Sequence, residues 1–242
     1  MRSQRILVRL CAMAALGAGT LSARAQENVF PDPSFESDGA TGVARTGHRA
    51  AHLKVGAKDH WQGLRGELSV EPFATYRASG YVKASVKSGG LFALYCYGWN
   101  SFDWQWESNV PLETTDQWQR VETTFVASAD KAWFHPLAVI DAENSEAWID
   151  DVVVARVKSP AATMAALLGK DEPSAAEVQL LARYFVFQGE RGLAEELLDK
   201  ADAYTKADIS CLLGRSTGDR AERRKWTAKR IRNGGLTCTR EG

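Results

Sequence analysis

Hydrophobic and polar positions alternate along the first half of the chain and recur at helical spacing along the second. Between residues 28 and 157 the apolar positions gather in short β-branched and aromatic runs: 52–55, 68–70, 76–86, 91–97, 103–110, 121–126, 133–140 and 147–157. Gly, Asn, Asp and Ser separate them. Short strands at this spacing predict an all-β sandwich. From Ser159 the period changes. Ser159 and Pro160 mark a boundary and a short helix start. Ser174, with Glu177 three residues on, forms a capping-box pattern. Val178, Leu181, Ala182 and Phe185 then fall on one helical stripe, and Leu193, Ala194, Leu197, Leu198 and Ala201 on another. The pattern predicts a helical hairpin interrupted at Gly189 and Gly192, with more helix over 220–231.

The resulting division is residues 1–25 as a leader, 26–157 as the β domain, 158–173 as a linker with a short helix, and 174–242 as a helical domain. The leader reads as a secretory signal peptide. Arg2 and Arg5 precede the short apolar run 10–19, and Ala23 and Ala25 frame a cut before Gln26. That run is too short to span a bilayer, and the sequence offers no other membrane-crossing stretch. The expectation is therefore an exported protein, periplasmic or secreted.

Charge changes the picture at the C-terminus. The whole chain carries 30 Lys+Arg and 30 Asp+Glu, yet residues 215–240 hold nine basic side chains against two acidic ones. Such a tail suits an acidic partner, an envelope protein or an anionic polymer, or is simply a solvated helix surface. Cys211 and Cys238 flank it. In an oxidising compartment they can pair, and a bridge closing a loop of about 28 residues contributes roughly 3–4 kcal/mol. Cys96 reads as a small core residue.

Several pieces of the first half match a family pattern in order. Asn28 with Ser34-Phe35-Glu36 resembles its opening "N…GFE", with Ser34 in place of Gly. Residues 46–53 resemble its "tGk.sl.v" strand and residues 76–83 its "Y..s.wvk". Trp118 to Val121 with Phe125 resembles "W..v...f", and Ile149-Asp150-Asp151-Val152 resembles the closing "iDDv". The chain thus resembles the jelly-roll carbohydrate-binding modules of the group containing families four, nine, sixteen and twenty-two, over about 130 residues. The segment 37–45 is shorter than that family's and lacks its Trp. The resemblance implies a jelly-roll β-sandwich, followed here by a small α-helical domain with a faint likeness to one tetratricopeptide unit. It also implies a structural calcium ion tying the opening segment to the last strand. Glu36 and Asp150 are the matching ligands, with Asp151 as substitute, and calcium's need for six to eight oxygens suits them. Physically, two carboxylates inside an apolar strand require a cation, an Arg or backbone donors.

Parity along the strands separates a candidate ligand face from the core. In the run 76–86 the even positions are core-like, and Arg77, Ser79, Tyr81 and Lys83 share the polar side. In the next run Phe92, Leu94 and Cys96 look buried, leaving Tyr95 and Tyr97, with Trp99 in phase. Trp104, Trp106 and Val110 look buried as well, leaving Asp103, Gln105 and Glu107. One sheet is therefore expected to present Tyr81, Tyr95, Tyr97 and Trp99, interleaved with Arg77, Gln105 and Glu107. Aromatic rings with polar neighbours suit a sugar's apolar face and its hydroxyl rim. The functional expectation is a non-catalytic protein that binds a polysaccharide or envelope glycan. The alternative is an adhesion or assembly module with protein partners and no sugar ligand. Carboxylate pairs such as Asp103 with Glu107, or Glu143 with Glu146, are the basis for a glycosidase or lyase reading. No nucleophile elbow or phosphate loop is present in the sequence, and no nucleic-acid motif stands out.

Overall fold

A computed structural model describes residues 28–37, 39–55, 62–63, 66–85, 90–98, 109–112, 117–127, 131–139, 145–219, 221–222 and 225. The chain divides into two compact units between Thr163 and Met164.

The first unit is built on two antiparallel sheets. Its strands are β1 (Ala40–Thr41), β2 (Arg49–Val55), β3 (Gln62–Gly63), β4 (Gly66–Ser69), β5 (Thr75–Ser85), β6 (Gly90–Gly98), β7 (Asn109–Leu112), β8 (Gln119–Val126), β9 (Lys131–Val139) and β10 (Ser145–Lys158). Sheet one runs β1-β2-β10-β5-β8. Sheet two runs β3-β9-β6-β7, with β4 also on β9. The predicted strand runs correspond to these elements except at 103–108, which lies outside the described residues. Two-residue β1 and β3 are additions, too short to leave a periodic signal.

The long central strands of sheet one follow from alternation. Along β5, Ala78, Val82 and Ala84 are buried, while Arg77 and Ser85 are exposed. Along β10, Ala147, Ile149, Val152 and Val154 are buried. These residues form a core with Leu53, Tyr76, Val121 and Phe125, and Leu68 of sheet two lies in the same cluster, fully buried. Leu68 of β4 thus packs in the same core as the buried side chains of sheet one. Fully burying each Ile or Val contributes about 1.5–3 kcal/mol over leaving it exposed. Tyr76 adds a stacked contact with Phe125 at 5.6 Å between ring centroids. Its hydroxyl accepts a hydrogen bond from the Glu71 N–H at 2.8 Å, so the buried phenol is satisfied.

The register slips between Asp150 and Val153. Ile149 and Val152 both face the core, so Asp150 and Asp151 share the outward side of a β-bulge. Asp151 takes φ +51°, a left-handed conformation that Asp tolerates better than most residues. The bulge is what lets adjacent carboxylates leave an apolar strand on one side.

After α1 (Pro160–Leu168), the helical unit has its own elements: α2 (Ala175–Phe187), α3 (Arg191–Glu196), a 3-10 turn (Leu197–Lys200) and α4 (Ala203–Arg215). The strand β10 runs into α1 within two residues, and α1 lies inside the segment 158–173 that was read as a linker with a short helix. Ser174 caps α2: its hydroxyl accepts from the Glu177 N–H, and the Glu177 carboxylate accepts from the Ser174 N–H. The predicted stripe Val178, Leu181, Ala182 and Phe185 is buried, joined by Tyr184. Asp202 caps α4, accepting from the Thr205 N–H at 2.7 Å. The helix after Gly189 stops after six residues and tightens into the 3-10 turn, unlike the paired long helices of a tetratricopeptide unit. Cys211 is disulfide-bonded; the expected partner Cys238 lies outside the described residues. Among the described residues no helix is long and apolar enough to cross a membrane.

Candidate ligand face and carboxylate cluster

Leu68 fixes the orientation of sheet two. It is fully buried in the core and pairs with Ala132, so Ala132, Phe134 and Pro136 share its face. Cys96 pairs with Phe134, Leu94 with Pro136, and Phe92 with both Ala138 and Val110. The core-like set of the sequence therefore sits at inward register positions. The opposite register carries Glu67 paired with Trp133, Trp133 paired with Tyr97, and Tyr95 paired with His135. Directly opposed residues in antiparallel strands have Cβ atoms about 4.5–5.5 Å apart. Successive same-face rows are about 7 Å apart. Glu67, Trp133, Tyr97, Tyr95 and His135 thus stand at outward register positions of sheet two.

Tyr95 and Tyr97 were expected there. Trp133 and His135 were missed, although their odd parity within the run 133–140 was readable. Their pairing partners were not, because register across distant strands leaves no local signal. Trp99, Gln105 and Glu107 lie outside the described residues, as do Asp103 and Glu143.

Tyr81 and Arg77 do not join this face, which corrects the single-sheet expectation. β5 pairs with β10 and β8, whereas β6 pairs with β9 and β7. The chain changes sheets between β5 and β6, so residues on the polar side of β5 stand on the outward side of sheet one. There the Arg45 guanidinium lies over the Tyr81 ring, 3.5 Å from its centroid, a cation–π contact. Trp148 stacks on His52 at 5.0 Å with ring planes 2° apart. The Glu146 carboxylate meets His52 at 3.2 Å and Lys54 at 3.1 Å, and Lys54 most of all holds its pKa below the ordinary glutamate value. Arg120 pairs with Glu122 at 2.6 Å. These polar groups spend their charge on each other.

The carboxylate cluster sits on the same side of sheet one, at the bulge of β10. Asp150 is fully buried. Its Oδ2 accepts the Arg45 and Thr46 N–H groups at 2.7 and 3.1 Å, and its Oδ1 accepts the Asp151 N–H at 2.8 Å. Asp151 accepts from the Thr46 hydroxyl at 2.5 Å, from the Ser34 hydroxyl at 3.1 Å, and from the Arg45 guanidinium. Burial pushes the Asp151 carboxyl up, but bonds from Thr46, Arg45 and Ser34 outweigh it and leave its pKa below the ordinary aspartate value. Glu36 Oε1 accepts the His48 and Arg49 N–H groups at 2.9 and 3.0 Å, and those two bonds hold its pKa low. Gly47 makes this approach possible: its φ is +65°, and a Cβ there would stand 2.2 Å from Glu36 Oε1.

This donor set does not fit calcium. The three carboxylates face amide N–H groups, hydroxyls and a guanidinium, where a calcium site needs oxygens converging on a void. Among the described residues no group of three His, Cys, Asp or Glu side chains is placed to hold a metal ion.

No protein-family model and no curated protein matches the chain. Solved structures are similar to part of the chain. The structure of "TmCBM61" in complex with beta-1,4-galactotriose is 19% identical, with 54% of this chain and 99% of that one covered and a TM-score of 0.39. A Family 16 Carbohydrate Binding Module-2 is 17% identical over 53% of this chain and 100% of that one, TM-score 0.39. The CBM22-1 xylan-binding domain from Paenibacillus barcinonensis Xyn10C is 17% identical over 57% and 99%, TM-score 0.43. At these scores the similarity decides nothing about ligands.

Proposed function

We propose that this chain is an exported, non-catalytic glycan-binding protein of the jelly-roll carbohydrate-binding type, and that the outward face of sheet two takes the sugar. The observation that carries the reading is the pair of cross-strand rows, Glu67–Trp133–Tyr97 and His135–Tyr95. A pyranose offers an apolar ring face and a rim of hydroxyls. Rigid aromatic residues supply contact area for the former at small entropy cost, and Glu67 and His135 supply acceptors and donors for the latter. The strand scaffold fixes their spacing before a ligand arrives, which lowers the ordering cost of binding. Export is supported by the leader pattern and by the disulfide at Cys211, a bond that persists in oxidising compartments.

The test is a glycan-array screen of the full chain, followed by titration against the best polysaccharide. The expected result is saturable binding without release of soluble sugar products. Sugar release would convert the reading into an enzyme. A folded chain with no binding to any glycan would favour the protein-partner alternative.

A further inference from the structure

We infer that the opening segment and the closing strand of the first unit are joined by a protein-built staple in place of a calcium ion, so that folding is independent of divalent cations. The resemblance leads to a metal at this junction, and the residues have been put to another use. Three chain segments meet there: residues 28–37, the loop 45–49, and the bulge 150–154. Among the described residues, the polar contacts between them are hydrogen bonds and an ion pair from protein donors, beside the apolar packing of Phe30 and Phe35 with Val152 and Val154.

Asn28 ties the first segment to the third. Its Nδ2 donates to the Val152 carbonyl at 3.1 Å, while its Oδ1 accepts from the Val154 N–H at 2.8 Å and the Phe30 N–H at 3.1 Å. Backbone bonds run alongside, from Val29 N–H to the Val154 carbonyl and from Val152 N–H to the Pro33 carbonyl. Ser34 closes the segment onto Asp151. The loop 45–49 is gripped from both sides, by Asp150 and Asp151 through Arg45 and Thr46, and by Glu36 through His48 and Arg49.

Charge decides between this staple and an ion. The Arg45 guanidinium is paired with Asp151 and also lies over Tyr81. A dication bound by Asp150 and Asp151 would sit against that guanidinium and against the positive ends of the Arg45, Thr46 and Asp151 N–H dipoles. The donors already supply what a buried carboxylate lacks, namely hydrogen bonds to its charged form. Calcium would have to displace them and then find several more oxygens.

The experiment is thermal unfolding of the full chain in excess chelator and in millimolar calcium, for the wild type, Arg45→Ala and the milder Thr46→Val. The staple predicts one melting temperature for the wild type in both buffers, within a degree. It predicts a drop of several degrees for Arg45→Ala and a smaller one for Thr46→Val, equal with and without calcium. Should Arg45→Ala fail to fold, Thr46→Val and the wild type decide the matter. A wild-type melting temperature raised several degrees by calcium would overturn the inference. So would one equivalent of calcium taken up in calorimetric titration, or two variants that melt like the wild type.

Discussion

The two antiparallel sheets of the first unit differ in the residues at their outward register positions. Sheet one presents charged and aromatic groups that are paired internally: Arg45 on Tyr81 and Asp151, His52 on Trp148 and Glu146, Arg120 on Glu122. Sheet two presents, at outward register positions, Trp133, Tyr95, Tyr97 and His135 with one carboxylate at Glu67. The difference teaches that aromatic content alone does not mark a binding surface. What matters is whether the polar groups around the rings are already committed. The ion pairs named on sheet one stabilise the fold, and the ligand face is proposed on sheet two.

The largest expected effect falls on sheet one. Replacing Asp150 by Ala strands the N–H groups of Arg45, Thr46 and Asp151 around an empty buried site, and should cost about 3 kcal/mol of stability. Chemical denaturation measures it, and a loss below half a kcal/mol would mean that the cluster is ornamental. Binding to glycan should be unchanged in whatever fraction of that variant is folded. The reverse is expected on sheet two. Tyr95→Ala should weaken glycan binding by about 2 kcal/mol, roughly 30-fold, the range of a central aromatic contact. Its melting temperature should stay near the wild-type value; a collapse in stability without a change in affinity would place that ring in the core.

Gly47→Ala sharpens the same contrast with a smaller effect. The left-handed backbone and the 2.2 Å approach to Glu36 predict a loss of about 1–3 kcal/mol with no change in glycan affinity. Equal stability of the two proteins would show that the loop relaxes freely.

The smallest effect lies in the helical unit. The Lys170 ion pair, and after it the Ser174 bonds, hold the Glu177 pKa below its ordinary value of 4.5. Such a group stabilises the fold above its unfolded pKa, and the contribution fades as pH falls through the lower folded value. Glu177→Gln should therefore be less stable than wild type at pH 7, and the gap should narrow below about pH 4.5. A gap independent of pH would mean that the cap acts through hydrogen bonding alone.

Much of this was legible in the sequence, for identifiable reasons. The period-two alternation of β5 separated Arg77 and Tyr81 from Ala78 and Val82, because burial on one face of a strand writes itself into every second residue. The need of Asp150 and Asp151 for partners was readable from their apolar context. Which partner they take was not, since Arg45 lies 106 positions from Asp151 and only the folded sheet brings them together. Alternation was equally silent about sheet membership: β5 and β6 read alike whether they pair with each other or belong to opposite sheets. For the same reason Trp133 and His135 went unnoticed until their register with Tyr97 and Tyr95 was known.

The most direct test of the account is a parallel titration of one responsive polysaccharide with the wild type, Trp133→Ala and Tyr81→Ala. The account predicts that Trp133→Ala loses binding while folded and that Tyr81→Ala keeps wild-type affinity with a lowered melting temperature. Loss of binding in Tyr81→Ala, with Trp133→Ala unaffected, would contradict it and move the ligand face to sheet one.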